Sequence, residues 1–230
     1  MQTGILLNGR PMSEKYSGLK AGLIYLGSEF CQNLLPGPEE FGRALKVFRK
    51  PVVLATPLLT DGLFGNIETI IRKYAGKKER LEIVANDLGL IRLVAKKYAS
   101  KTRLSLGRIL GDFLSSAPDA FLEKFFAENG ITRVEADSQD MLSRYSRLKK
   151  LSCTCHIPWS HMAVTRYCPW EKHWVSEKCR HTCLGKSKKL TEARLRRPLR
   201  LINCGYFVES GELPKIGKMD RIVYSPPDNA

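Results

Sequence analysis

No run of this chain approaches the roughly 18 uninterrupted apolar residues that a membrane-spanning helix requires. The opening, MQTGILLNGRPMSEKYSGLKAG, lacks a basic stretch followed by an apolar one and a small-residue cleavage site. No secretory signal is therefore read, and a cytoplasmic location is expected. The sequence also lacks a G-x-G-x-x-G after a strand, a Walker A sequence, an H-E-x-x-H pair and a G-x-S-x-G elbow. Nucleotide-dependent, zincin and serine-hydrolase activities lose their usual support. The nearest approach to a glycine loop is LGRILG at 106–111, which has neither the third glycine nor the following acidic residue. No internal repeat or low-complexity tract is visible.

Acidic residues are scarce beside basic ones, 23 against 38, which leaves a formal net charge of +15. The excess is concentrated. Residues 144–200 carry fifteen Lys or Arg against Glu171, Glu177 and Glu192, a net of +12. A basic patch raises the local concentration of nucleic acid, of an acidic partner or of an anionic small molecule without choosing among them. RNA is the partner to test for this segment, and a solvated surface with no binding role is the plain alternative.

Seven cysteines, an odd count, are not expected to form a disulfide framework in a reducing compartment. Metal ligation or buried thiols remain. Three of them fall in CPWEKHWVSEKCRHTC at 168–183, spaced x10 and then x3, with Trp170, His173, Trp174 and His181 between them. Converging thiolates are soft ligands that select zinc or an iron-sulfur cluster over hard ions. A fourth ligand must then come from elsewhere, and the simpler alternative is a set of separate buried thiols behaving as small apolar side chains.

The rest of the chain alternates. Short β-branched or apolar runs at 22–27, 51–56, 81–85, 102–106, 131–136 and 151–157 read as strands. Helical spacing follows Pro38, Asp61, Asp87 and Pro118, the last helix ending at Gly130. Such alternation predicts βαβ units and a parallel sheet, either open and doubly wound or closed as a barrel. We expect an α/β fold, a parallel barrel of TIM type, in one domain over 1–230. Residues 1–20 read as irregular, 158–186 as a cysteine-rich loop and KSKKLTEARLRRPLR beyond it as a basic linker. Helical periodicity is absent between the last two strands, 199–204 and 221–225, so the barrel is expected to be incomplete or irregular near its C-terminus.

In either architecture the chemistry sits in loops after strands. Cys31, Asn86, Asp87 and the whole segment 158–183 lie there, which is the reason to bring Cys31 to Cys168, Cys179 and Cys183. The pattern at 151–157 points Cys153 and Cys155 to one face. His156, His161, Glu135 and Asp137 are further candidates at strand ends; a helix cap explains Asp87 equally well.

Taken in order, IYLGSEFC (24–31), VVLATPLL (52–59), LEIVANDLGLIRL (81–93), GITRVEADSQDM (130–141), HIPW (156–159) and the terminal cysteine trio resemble the peptidase U32 family. They are most similar to its small barrel-only members, whose paired subunits support oxygen-independent hydroxylation in anaerobic ubiquinone synthesis. In that subfamily one early and three late cysteines hold a [4Fe-4S] cluster, which implies Cys31, Cys168, Cys179 and Cys183 here. The resemblance also implies a second U32-type subunit and, as substrate, a quinone precursor or an RNA base. The gap between the first two late cysteines is shorter than in the subfamily, and the broader family draws one ligand from further along, a role Cys204 would fill in place of Cys31. The family name implies proteolysis, but no nucleophile with a paired base stands out. The competing expectation is a zinc-stabilised, basic RNA-binding module without catalysis, its ligands Cys168, Cys179, Cys183 and His173 or His181. The absence of short C-x2-C knuckles weighs against zinc.

Overall fold

The computed structural model describes residues 1–8, 20–76, 80–175, 178–192, 194–210 and 218–225. Eight parallel strands close into a barrel: β1 (Gln2–Leu6), β2 (Leu23–Gly27), β3 (Val52–Ala55), β4 (Leu81–Ala85), β5 (Thr102–Leu106), β6 (Ile131–Ala136), β7 (Ser152–Ile157) and, closing the ring between β7 and β1, the last strand, β14 (Met219–Tyr224). The expected parallel α/β barrel is thus observed, and its strand ring is complete.

Alternation along each strand divides two cores. Ile24, Leu26, Leu54, Ile83 and Val134 face outward into the layer shared with the helices, while Leu23, Tyr25, Val53, Val84 and Val223 fill the interior. The helices supply matching apolar faces: Phe41, Ala44 and Phe48 on α1 (Pro38–Phe48), Ile67, Ile70 and Ile71 on α2 (Phe64–Tyr74), and Leu90, Ile91 and Val94 on α3 (Leu88–Lys97). Each fully buried aliphatic side chain contributes about 1.5–3 kcal/mol by leaving water. Cys153 and Cys155 share the outward face of β7 and belong to this layer, as small apolar groups.

One sequence expectation is corrected here, and two helices that sequence reading passed over are added. Residues 1–20 are not irregular throughout, since β1 pairs with both β14 and β2; QTGIL is too short and too weakly β-branched to announce itself. Between β5 and β6 the helix α4 (Arg108–Leu114) precedes α5 (Asp119–Asn129), and α6 (Gln139–Ser146) joins β6 to β7. LGRILG spans the end of β5 and the start of α4, with Gly107 as the N-cap residue.

The irregularity expected near the C-terminus lies in the β7 to β14 connection. There the chain inserts antiparallel structure: β8 (Trp159–Val164), β9 (Tyr167–Cys168), β10 (His173–Trp174), β11 (Ser187–Leu190), β12 (Leu199–Ile202) and β13 (Gly205–Glu209). β11, β12, β13 and β8 form one sheet in that order, and β9 pairs with β10 in a separate hairpin. The stretch read as a cysteine-rich loop is partly strand, and the stretch read as a basic linker contains β11. Two-residue strands and a Lys-rich strand give no periodic signal, because their partners and not their own side chains hold them.

Candidate metal centre and the barrel mouth

Gly27 ends β2 at φ +102, where a Cβ would run into the carbonyl oxygen of Ala55. A left-handed glycine is what turns the chain across the carboxyl-end mouth of the barrel. Ser28, Glu29, Phe30, Cys31 and Gln32 follow, all buried. Gln32 then ties this loop to two others, donating from Nε2 to the Val175 carbonyl (2.9 Å) and accepting at Oε1 from the Thr60 N–H (3.1 Å). Val175 directly follows the β9–β10 hairpin, so this one amide couples the Cys31 loop to the late cysteine segment.

Cys31, Cys168 and Cys204 pack in one apolar cluster with Leu34 and Val175, and Trp170 and Leu184 lie against it. Trp170 is fixed by its indole N–H, which donates to the Asn203 carbonyl at 2.7 Å. Cys183 is buried, and burial together with the neighbouring Cys31, Cys168 and Cys179 sulfurs pushes its thiol up to about 12. Cys179 is half-buried, and burial raises its thiol too. The Cys204 thiol beside Cys31 lowers the Cys31 thiol, and Cys31 together with burial raises that of Cys204. All four predicted ligands therefore share one neighbourhood, with Cys204 as a fifth thiol, whereas Cys153 and Cys155 sit in the other core layer. Among the described residues, no three His, Cys, Asp or Glu side chains close around a single-ion position.

One residue that sequence reading passed over organises the trio. The Glu171 carboxylate accepts from the backbone N–H groups of Arg180 (2.9 Å) and Thr182 (2.9 Å), from the Cys179 thiol (3.6 Å), and pairs with His173 Nε2 (3.1 Å). Those backbone donors hold its carboxyl well below the usual carboxylate range. One of the few glutamates inside a strongly basic segment was the available signal. His173 is thus spoken for by a carboxylate, and His181, at φ 59, is exposed.

Beside the thiols lies a second, buried polar layer. Arg108 donates to both oxygens of Glu29, through Nε (2.7 Å) and its own backbone N–H (2.7 Å), and reaches Asp137 at 3.3 Å. Burial acts against the charge of Glu29, yet the Arg108 guanidinium, His156 and the hydrogen bonds from the Arg108 N–H and Asn86 together outweigh it and hold that carboxyl at about 2, below its ordinary 4.5. Asn86 donates to Glu29 (3.1 Å) and caps α4 by accepting from the N–H groups of Ile109 and Leu110. Asp87 is a helix cap, accepting from the Leu90 N–H at 3.0 Å. Asp137 accepts from the His161 N–H at 2.9 Å.

His156 Nε2 lies 2.8 Å from Glu135, and facing a carboxylate it is the protonated nitrogen. Tyr25 links this pair to Arg221 and Glu82 across the barrel interior. Among the described residues, His156 Nδ1 and Glu135 Oε1 are buried without a hydrogen-bond partner. The Phe30 ring, adjacent in sequence to Cys31, carries the Arg108 guanidinium at 4.7 Å and the His161 ring at 5.7 Å, and so joins the two layers. A cleft of about 780 Å³ opens next to them, lined by Asp112, Ser138, Arg144, His161 and Met162 among others.

The basic segment is not one surface. Arg144 is engaged by Asp119 and by the carbonyls of Ser115 and Ala117. The exposed cations Arg166, Lys172, Arg180, Lys188, Lys189, Arg194 and Arg197 lie on the antiparallel insert, with exposed Tyr167 and Trp174 edge to face at 5.7 Å. No helix among the described residues is long and apolar enough to cross a membrane. No family model, curated protein or solved structure matches the chain.

Proposed function

We propose that this chain is an iron-sulfur protein of the U32 type, with Cys31, Cys168, Cys179 and Cys183 holding a [4Fe-4S] cluster, and that it acts as an enzyme or enzyme subunit in oxygen-independent hydroxylation of a quinone precursor or an RNA base. The observation that carries this reading is the meeting of Cys31, from the loop after β2, with cysteines more than 130 positions later, in an apolar setting walled by Trp170. The donor set fits a soft, thiolate-bound group. When bound, such a cluster supplies one-electron transfer. The chain's own residues do the rest. Trp170, Leu34 and Leu184 exclude water from the sulfurs, and Glu171 orders the segment that carries Cys179. His156, oriented by Glu135, has Nδ1 available for a proton at the barrel mouth.

Binding would release protons, because thiols raised by burial must become thiolates. A second U32-type subunit is the partner that goes with this reading. The test is anaerobic purification followed by iron, sulfide and zinc analysis. A brown protein with equal iron and sulfide is expected. Cys→Ala at 31, 168, 179 or 183 should each remove most of the iron, while Cys153→Ala and Cys155→Ala should keep it. A colourless protein with one zinc would instead favour the RNA-binding module, whose support is the exposed cations and aromatic pair of the insert.

A further inference from the structure

The four-stranded sheet of the insert carries a cavity that neither the thiols nor the barrel mouth uses. Its volume is about 250 Å³, and Trp159, Lys189, Arg197, Arg200, Phe207 and Glu209 are among the residues lining it. Strand register brings these side chains together. Lys189 of β11 stands opposite Arg200 of β12, Arg200 opposite Phe207 of β13, and Glu209 of β13 opposite Trp159 of β8, and residues paired in this way share one face of a sheet. Alternation sends the neighbouring Lys188 to the other face, opposite Leu201.

That register sets like charges against each other. Lys189 and Arg200 are directly opposed on antiparallel strands, an arrangement that destabilises a sheet unless something offsets it. Arg197 adds a third cation, and Glu209 is the only acid among the described lining residues. Lys189 and Arg197 are exposed, and no side chain among the described residues pairs with either. Arg200, by contrast, is fixed in place: its guanidinium lies 4.7 Å over the Trp159 ring and donates through Nη1 to Ser187 Oγ at 2.6 Å. A planar guanidinium held in this way loses little freedom on meeting an oxyanion, and its geometry suits phosphate oxygens.

We propose that this cavity binds the terminal phosphate of a small phosphomonoester, with Lys189 and Arg197 meeting its oxygens beside the fixed Arg200 guanidinium. Trp159 and Phe207 supply an aromatic wall for the rest of the ligand. Three cations converge on one small cavity, which matches a group carrying close to two negative charges. A nucleic-acid backbone spreads single charges along a track instead. The bound dianion offsets the repulsion between Lys189 and Arg200. The inference is independent of the cluster reading, since it uses no thiol.

The experiment is calorimetric titration of the full chain at low salt with phenyl phosphate, a monoester, and with diphenyl phosphate, a diester. Phenyl phosphate should bind at one site, and diphenyl phosphate about tenfold or more weaker. Lys189→Ala and Arg197→Ala should each weaken phenyl phosphate by about tenfold, the loss of one charge-assisted hydrogen bond. Lys188→Ala, one position away on the other face, should change the affinity by less than about twofold. Thermal unfolding measured on every variant shows that each is folded, and phenyl phosphate should raise the melting temperature of the parent and of Lys188→Ala but not of Lys189→Ala. A parent that does not bind phenyl phosphate overturns the proposal. Equal losses in Lys188→Ala and Lys189→Ala overturn it too, because bulk charge and not the cavity then holds the anion. Equal affinity for the diester removes the terminal phosphate from the reading and assigns these cations to a phosphodiester such as RNA.

Discussion

The barrel wall and the antiparallel insert between β7 and β14 are held in different ways. In the wall, each strand meets parallel neighbours in register and each helix buries a continuous apolar face, so local sequence and tertiary packing agree. In the insert, a four-stranded antiparallel sheet and a short hairpin are joined to each other and to the barrel by single groups: Gln32 to Val175, Trp170 to Asn203, Glu171 to Arg180 and Thr182. The lesson is that a rigid scaffold carries a segment whose order depends on a few polar contacts, and those contacts gather the thiols. Breaking the wall should therefore cost global stability, and breaking the insert should cost local order.

The largest effect is expected at the boundary layer. Arg108→Met removes the partner of Glu29 and leaves a carboxylate buried at 1% exposure, a change that typically costs about 3–5 kcal/mol. Denaturant unfolding should register it as a lower midpoint. The acid dependence should change too. In the parent, Glu29 is depressed from 4.5 to about 2, so its contribution is complete above the ordinary carboxylate value and is lost as pH falls from there toward 2. In Arg108→Met the guanidinium that most opposes burial is gone while the hydrogen bonds from Asn86 and the residue-108 N–H remain, so the Glu29 carboxyl should rise and acid should erode less stability than in the parent. A variant that unfolds in acid along the parent's curve would show that the pair does not set the layer's charge.

Glu171→Gln comes next and sharpens the comparison. The amide keeps the size but replaces a charged acceptor of two backbone N–H groups and a thiol, a loss of roughly 1–3 kcal/mol. That loss is confined to the insert. Amide hydrogen exchange at Arg180 and Thr182 should speed up by tenfold or more, with β2–β6 amides unchanged, because local opening and global unfolding are separate processes. Equal acceleration in the barrel strands would mean that wall and insert unfold as one unit, contrary to the division drawn above.

How much of this was legible follows the same division. The strands at 81–85, 102–106 and 131–136 and the cap at Asp87 could be read because side-chain pattern and backbone state are set within a few residues. The neighbourhood of Cys31 with Cys168 was legible only through the strand-end rule for parallel barrels, which is a statement about topology. What could not be read was contact-dependent. β11 is polar at three of its four positions, the role of Glu171 depends on backbone groups nine to eleven residues away, and the buried pairing of Glu29 with Arg108 spans 79 positions. The direct contact of Cys204 with Cys31 belongs here as well, since sequence offered the two as alternatives and the fold makes them neighbours.

The smallest expected effect concerns exposed groups of the insert, Lys188, Lys189 and Arg197 among them, and the Tyr167–Trp174 pair of the β9–β10 hairpin. If single-stranded RNA binds there, each cation that neutralises a phosphate releases counterions, and the logarithm of affinity should fall with the logarithm of salt with a slope of about 0.7 per contact. Lys188→Ala with Lys189→Ala should reduce that slope by about 1.4 and leave thermal stability unchanged, since exposed charges far from the two cores carry little of it. Trp174→Ala should weaken binding by roughly 1–3 kcal/mol without altering the slope, because stacking is insensitive to salt. Fluorescence titration with an oligouridylate at several salt concentrations separates the two terms. A slope unchanged by the double lysine variant would place the RNA elsewhere and leave these lysines as solvated surface groups as far as RNA is concerned.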